Sequence, residues 1–191
     1  LSLGRRVATA IIVLPPLLLA NFKGPPWLAA ALAGLAALLG LHEFFGLLRA
    51  RGLRPPRTIG VLLAAMLFAE VAFPGWSPWP FWPLGILLLL TATLARGKRW
   101  DEAVPAAGGT LLGALYLGAL GGTIAALRLL PPLDEGAVRV ALLLAIIMAA
   151  DTTAFFVGHQ WGRRPLAPEV SPHKTIEGAL GGLLGGVAGA L

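Results

Sequence analysis

The sequence contains no cysteine and little charge, and each absence narrows what the chain can do. Without cysteine there is no disulfide framework, no thiolate metal site and no thiol nucleophile. Only 13% of the 191 residues are charged whereas 57% are hydrophobic, and no Ser-rich or charge-rich linker separates the apolar runs. This composition indicates a single integral membrane domain over residues 1–191.

Apolar runs occur along the whole chain. Because backbone amides need internal partners in lipid, only helices and closed barrels cross a bilayer. The Leu/Ala runs lack the two-residue alternation of barrel strands, so the sequence predicts an all-α, polytopic transmembrane helical bundle. About seven helices are expected, at residues 7–20, 27–48, 59–73, 82–95, 108–127, 138–157 and 176–191. The first, third and fourth runs are short, and the segment 73–82, rich in Pro and Trp, is expected to form an interfacial turn.

The distribution of basic residues predicts how the chain is oriented in the membrane. The formal net charge is +6, from 15 basic and 9 acidic residues. With a cytoplasmic N-terminus, all basic residues except Lys23, Arg128 and Arg139 fall on the cytoplasmic side, as the positive-inside rule requires. The charge is therefore topological and nucleic acid is not an expected partner. The predicted location is the cell membrane, as a multi-pass protein of a bacterial inner membrane.

Glycines recur at four-residue spacing in two predicted helices. They are Gly109 with Gly113, Gly118 with Gly122, and Gly178, Gly182 and Gly186 beside Gly181, Gly185 and Gly189. Such faces let helix backbones approach closely, which predicts a compact bundle. The sequence does not tell whether identical copies of the chain assemble into a homo-oligomer.

Asp151 lies about 13 residues into the run 138–157, inside the hydrocarbon zone. A carboxylate at such depth usually faces a water-filled cavity, a partner or a metal ion. Ala154 and Gly158, three and seven residues later, form a small stripe that is expected to line a cavity. The alternatives are an aspartate paired with a basic side chain for helix assembly, or a protonated one.

A second polar stretch opens the last apolar run. Ser171 and Pro172 predict a helix start, with Ser171 as N-cap and Lys174 in the first turn. The free amides, the helix dipole and the ammonium together predict an anion site, with phosphate as the expected ligand. Thr175 adds a hydroxyl, and Glu177 adds a carboxylate that is expected to pair with Lys174 or approach a metal ion. The positive-inside rule alone also explains a lysine at this place.

Three further residues are candidates for the same polar region. Arg163 and Arg164 precede the stretch on one loop, where they either widen the anion site or serve topology. Glu43, late in the second run, is expected to line the same cavity; an interfacial pair with His42 is the alternative.

The motifs A-D-T-x-A-[FY]-x-x-G, x-x-x-G-[RK] and L-A-P-x-[VI]-S-P-x-K-T-x-E-G closely resemble those of the phosphatidate cytidylyltransferase (CDP-diacylglycerol synthase) family. The matching residues are Ala150, Asp151, Thr152, Ala154, Phe155, Gly158, Gly162, Arg163, Leu166, Ala167, Pro168, Val170, Ser171, Pro172, Lys174, Thr175, Glu177 and Gly178. Residues 6–15 are similar to the first helix of that family. Three positions depart from the usual residues of the family. Thr153 stands where the family usually has Gly after Asp-Thr. His173 stands in place of the more usual Lys or Gly, and Ile176 in place of Trp.

The resemblance implies transfer of a cytidylyl group from CTP to phosphatidate, with Mg²⁺ or another divalent metal as cofactor. It implies catalytic roles for Asp151, Lys174 and Glu177. It implies substrate contacts for Thr152, Arg163, Ser171, Thr175 and Glu43. Asp151 and Glu177 are also candidate metal ligands. The C-terminal signature of the family, which carries its main metal ligands, is absent from the sequence, so the chain is expected to be a domain cut short at its C-terminus and inactive alone.

Other functions stay open. A CTP-dependent polyprenol or phytol kinase shares the general architecture, and a transporter also tolerates an intramembrane aspartate and Gly-rich helices. No convincing inverted repeat supports a transporter. A bundle fragment without activity is the remaining alternative.

Overall fold

The computed structural model describes residues 3–73, 75, 81–95, 100–169 and 171–191. The helices are α1 (Leu3–Lys23), α2 (Pro26–Ala50), α3 (Arg57–Ala72), α4 (Phe81–Leu94), α5 (Trp100–Gly113), α6 (Leu120–Leu129), α7 (Leu133–Trp161) and α8 (Ile176–Ala188). A π-helical turn, Ala114–Ala119, joins α5 to α6, and a short antiparallel hairpin of β1 (Pro165–Ala167) and β2 (Ser171–Thr175) joins α7 to α8. The predicted all-α class is confirmed. Most of the predicted interfacial turn at 73–82 lies outside the described residues.

Among the residues that the structure describes, three helices are long and apolar enough to cross a membrane, namely Pro26–Ala50, Asp101–Leu129 and Leu133–Trp161. Shorter apolar helical segments are Ile12–Lys23, Phe81–Leu94 and Ile176–Ala188. Most large apolar side chains of α7 are exposed, which is the pattern of a lipid-facing helix. The chain is thus a helical membrane protein. Each of the seven predicted runs overlaps a helix, and three candidate spans lie among the described residues.

The chain divides into two compact units, Leu1–Gly136 and Ala137–Leu191. The first unit has an apolar core to which α2, α3, α4, α5 and the π-helical turn contribute. Its buried members are Leu41, Phe45, Leu63, Ala64, Leu89, Ala107 and Ala114.

Glycines of the first unit lie where helix backbones meet. A Cβ at Gly118 would lie 2.5 Å from the carbonyl oxygen of Ala64 in α3, and one at Gly122 would lie 2.7 Å from that of Phe68. A Cβ at Gly113 would lie 2.7 Å from the ring of Phe44 in α2. The predicted packing role of these glycines is confirmed.

The second unit packs α8 against the C-terminal half of α7 through the glycines of α8. A Cβ at Gly178 would lie 2.9 Å from the carbonyl oxygen of Ala154, and one at Gly182 would lie 3.0 Å from the Ala154 side chain. Gly158 also contacts Gly178. The stripe of Ala154 and Gly158 was expected to line a cavity, and this prediction is wrong. The residues of α8 that face the stripe are glycines, so the backbone of α8 packs directly against it.

Candidate functional site

The polar segment between α7 and α8 folds as the hairpin of β1 and β2. Pro165 pairs with Thr175 and Ala167 with Ser171, and the Ile176 amide donates to the carbonyl of Arg164 over 2.9 Å. The predicted helix start at Ser171 is therefore wrong. Pairing with β1 keeps residues 171–175 extended, and a two-stranded hairpin has free edges where a proline in the strand is tolerated. Residues 168–169 turn the chain after β1.

Thr175 takes the capping role that was assigned to Ser171. Its backbone is extended, and its hydroxyl oxygen accepts a hydrogen bond of 3.1 Å from the amide of Gly178, in the first turn of α8. A Cβ at Gly158 would lie 3.2 Å from this oxygen, and one at Gly162 would lie 2.7 Å from it. Thr175 therefore fills the space between the end of α7 and the start of α8, a structural contact that the sequence did not suggest.

Lys174 lies on β2 and not in the first turn of α8, so its predicted cooperation with the helix N-terminus is wrong. Its side chain is exposed, whereas Ser171 and Thr175 are partly buried. Because alternate residues of a strand point to opposite faces, Lys174 is directed away from the Thr175 face. Its ammonium is thus available to an anion outside the hairpin.

Glu177 joins the hairpin to α8. One of its carboxylate oxygens accepts hydrogen bonds from the amides of Arg163 (3.1 Å) and Arg164 (3.2 Å). Glu177 lies at the loop end of α8, outside the three candidate spans. The amides of Arg163, of Glu177 itself and of Arg164 hold the pKa of this carboxyl below its ordinary value, against a smaller opposing effect of burial. The structure thus places the carboxylate on the loop backbone, whereas pairing with Lys174 or approach to a metal ion was expected.

Asp151 and Thr152 lie on α7 with exposed side chains. Asp151, Phe155 and His159 are spaced by four residues and share one side of the helix, where the rings of Phe155 and His159 stack with centroids 6.0 Å apart. The carboxylate lies ten residues, or about 15 Å, before Trp161 at the end of α7.

Glu43 is exposed on α2, in the first unit. Its predicted place beside the other site residues stays a prediction.

A complete metal site is not formed in the part of the chain that the structure describes, since no three His, Asp or Glu side chains group together there. The Glu177 carboxylate is already bonded to two backbone amides. Mg²⁺ therefore stays a prediction, and no chemical step is assigned to a metal.

The segment between α7 and α8 presents a group of exposed cations on a backbone held by hydrogen bonds. Arg163, Arg164 and Lys174 are all exposed on the hairpin or its approach. Thr175 and Glu177 tie this loop to both helices. Such an arrangement suits an extended anion with several phosphates, because a rigid loop presents its charges without a large cost of ordering.

Comparison with known proteins decides the family. A model described as "Cytidylyltransferase family" matches residues 4–191, nearly the whole chain. The chain belongs to the cytidylyltransferase family. The segment from Asp151 to Gly178 lies within the matched region.

Individual relatives of this cytidylyltransferase-family chain carry the name phosphatidate cytidylyltransferase. The protein from Synechocystis sp. is 30% identical over 192 residues, which cover 86% of this chain and 64% of the relative. That from Bacillus subtilis is 32% identical over 157 residues, 76% of this chain and 56% of the relative. That from Haemophilus influenzae is 27% identical over 215 residues, which cover 95% of this chain and 69% of the relative. The chain therefore spans less than two thirds of the length of the first two, and no solved structure matches it.

Proposed function

We propose that the protein transfers the cytidylyl group of CTP to phosphatidate, forming CDP-diacylglycerol and pyrophosphate. A phosphate oxygen of the lipid forms a bond to the α-phosphorus of CTP, and the bond from that phosphorus to the bridging oxygen breaks. Family membership and the names of the relatives support this reaction.

The observation that carries the proposal is the group of exposed cations on a braced hairpin. Phosphoryl-group chemistry needs positioning and neutralisation of charge more than covalent help. Lys174 and Arg163 are assigned to the phosphates of CTP. Glu177 and Thr175 act by holding the loop that carries these cations, through the amide and capping bonds described above.

The remaining predicted residues complete the proposal. Asp151 is assigned to the polar region next to the reacting phosphates, with Thr152 beside it on α7. Ser171 offers a hydroxyl on the partly buried face of β2, and Glu43 is assigned to substrate. Mg²⁺ stays a prediction of the family resemblance, for which Asp151 supplies one carboxylate.

The proposed setting is the cell membrane, crossed several times with the N-terminus in the cytoplasm. The charge distribution then places the hairpin on the cytoplasmic side, where CTP reaches it, while phosphatidate arrives from the bilayer. A homo-oligomer is part of this proposal and is checked by the mass of the purified protein in detergent.

The test follows labelled phosphorus from CTP into lipid, using the native protein that contains this sequence. With phosphatidate as acceptor, label from the α-phosphate is expected in lipid and pyrophosphate in solution. A CTP-dependent lipid kinase instead moves the γ-phosphate to polyprenol or phytol and releases CDP. Lipid that carries label only from the γ-phosphate would therefore contradict the proposed reaction and indicate the kinase reaction.

A second measurement on the same preparation distinguishes a transporter from a transferase. Reconstituted vesicles that move a solute without consuming CTP, and that make no labelled lipid, would contradict the transferase proposal.

A further inference from the structure

A basic cleft lies in the first unit where α2 ends and α3 begins. It measures about 940 Å³ and is lined by Arg49, Gly52, Leu53, Arg54, Pro55, Arg57 and Thr58. The sequence predicted only a topological role for these arginines, and the proposed reaction does not use them.

Backbone hydrogen bonds hold the turn that forms the cleft. Gly52 has a φ of +80°, its amide donates to the carbonyl of Arg49 over 2.9 Å, and the Leu53 amide donates to Leu48 over 3.0 Å. This pair of bonds is a Schellman motif, which ends α2 and requires a left-handed residue that glycine adopts without strain. Buried Pro55 and Pro56 follow and restrict the chain up to the first residue of α3.

The cleft presents several donors suited to an anion. Arg49 is exposed in the last turn of α2, and Arg57 begins α3. Pro56 at the N-cap of α3 provides no side-chain hydrogen bond to the first-turn amides, so this helix end keeps its positive dipole and donors. In addition, the Nε of Arg57 is buried without a hydrogen-bond partner. A buried guanidinium donor without a partner is costly, and an acceptor atom in the cleft would relieve that cost.

The position of the cleft points to the class of ligand. The helix α2 is one of the three candidate spans among the described residues, so its C-terminal end is expected at a membrane surface. Lipid headgroups are the most abundant phosphates at that level, and arginine favours phosphate because its planar fork donates two parallel hydrogen bonds. We propose that this cleft binds the phosphate group of an anionic membrane lipid.

The test measures binding to the native protein in an uncharged detergent, without CTP, so its outcome is independent of catalysis. Dihexanoyl phosphatidate and dihexanoyl phosphatidylglycerol are the lipid probes, dihexanoylglycerol is the lipid without phosphate, and inorganic phosphate is the soluble probe. The two phosphate lipids are expected to bind at least about tenfold more tightly than dihexanoylglycerol and inorganic phosphate. Equal binding of inorganic phosphate would overturn the assignment to lipid, and equal binding of dihexanoylglycerol would overturn the assignment to phosphate.

Substitutions locate the binding. Arg49→Gln and Arg57→Gln are each expected to weaken lipid binding about tenfold, and Arg57→Lys to recover only part of it. Arg51→Gln is the matched control, because Arg51 is exposed on the same turn and does not line the cleft. Equal losses in all three Gln variants would show a diffuse charge effect and overturn the proposed site. Arg49 is exposed, so its variant tests the proposal even if Arg57→Gln fails to fold.

Discussion

At the scale of single residues, Glu177 and Thr175 position the cationic hairpin through backbone contacts. Glu177 accepts from the amides of Arg163 and Arg164, and Thr175 accepts from the amide of Gly178. Both residues belong to the motif that suggested a phosphate site. Their structural contacts explain why a hydroxyl and a carboxylate stand at these two places, independently of any contact with substrate.

Glu177→Gln is expected to lower the thermal stability of the protein near neutral pH, because a neutral amide accepts weaker hydrogen bonds than a carboxylate. The pKa of Glu177 is lowered in the folded state, so its stabilising contribution is present above its ordinary value of 4.5 and is lost as the pH falls through the folded value. The stability difference between the native protein and the variant should therefore stay constant from about pH 7 to about pH 5 and shrink as the pH falls below 4.5.

The control for this prediction is Glu169→Gln, which removes one exposed carboxylate from the turn of the same hairpin. Thermal unfolding in detergent at several pH values measures both variants. A Glu177→Gln difference that is constant with pH, or that equals the Glu169→Gln difference, would contradict the anchoring role.

The sequence identified the chemistry of these residues but not their partners. A Ser-Pro pair is a common helix start, and pattern alone cannot tell it from a strand that happens to contain Ser171 and Pro172. The strand forms because residues 165–167 pair with it, a contact between segments that helix-capping preferences do not include. The cap then moves four residues along to Thr175.

At the scale of helices and strands, glycine faces determine how closely the helices approach. The period-four glycines were readable in the sequence, and the structure places them against the backbone or side chains of neighbouring helices in both units. The sequence could not say which surface each face meets. For the stripe of Ala154 and Gly158, the partner proved to be α8 and not a cavity.

Gly118→Ala is expected to destabilise the protein by about 1–3 kcal/mol, because the new methyl would lie 2.5 Å from the carbonyl oxygen of Ala64 and force α3 away. Gly108→Ala is the control on the same continuous helical segment, since nothing lies within 4 Å of a Cβ there. This control is expected to be neutral or to stabilise by about 0.5–1 kcal/mol, because alanine favours helix.

Thermal or denaturant unfolding in detergent compares these two glycine variants. Equal stability of Gly118→Ala and Gly108→Ala would mean that α3 and the π-helical turn do not pack closely at this point.

At the scale of the whole molecule, composition was enough to predict a helical membrane protein. Where the apolar runs are long and end in charge or proline, their positions agree with α2, α5 to α6 and α7. The division into units of residues 1–136 and 137–191 left no mark in composition, because both units are equally apolar and no linker rich in polar residues separates them.

The family assignment supports the kind of reaction, and the structure shows the arrangement of the residues. The family model covers residues 4–191 and supports the kind of reaction, whereas the structure shows how the hairpin between α7 and α8 is held. The link between them is the proposal that the exposed cations of this hairpin bind the phosphates of CTP. Lys174 is the residue on which that link depends most, because its exposed ammonium lies on the face of β2 opposite to the anchored Thr175.

The most direct measurement is therefore the rate at which label from the α-phosphate of CTP enters phosphatidate in the native protein and in Lys174→Ala. Lys23→Ala, which removes an exposed lysine at the end of α1, is the matched control. We expect a loss of at least about 100-fold for Lys174→Ala at unchanged abundance and stability, and a rate within about twofold of native for Lys23→Ala. A native rate in Lys174→Ala would contradict the assignment of this hairpin to the nucleotide.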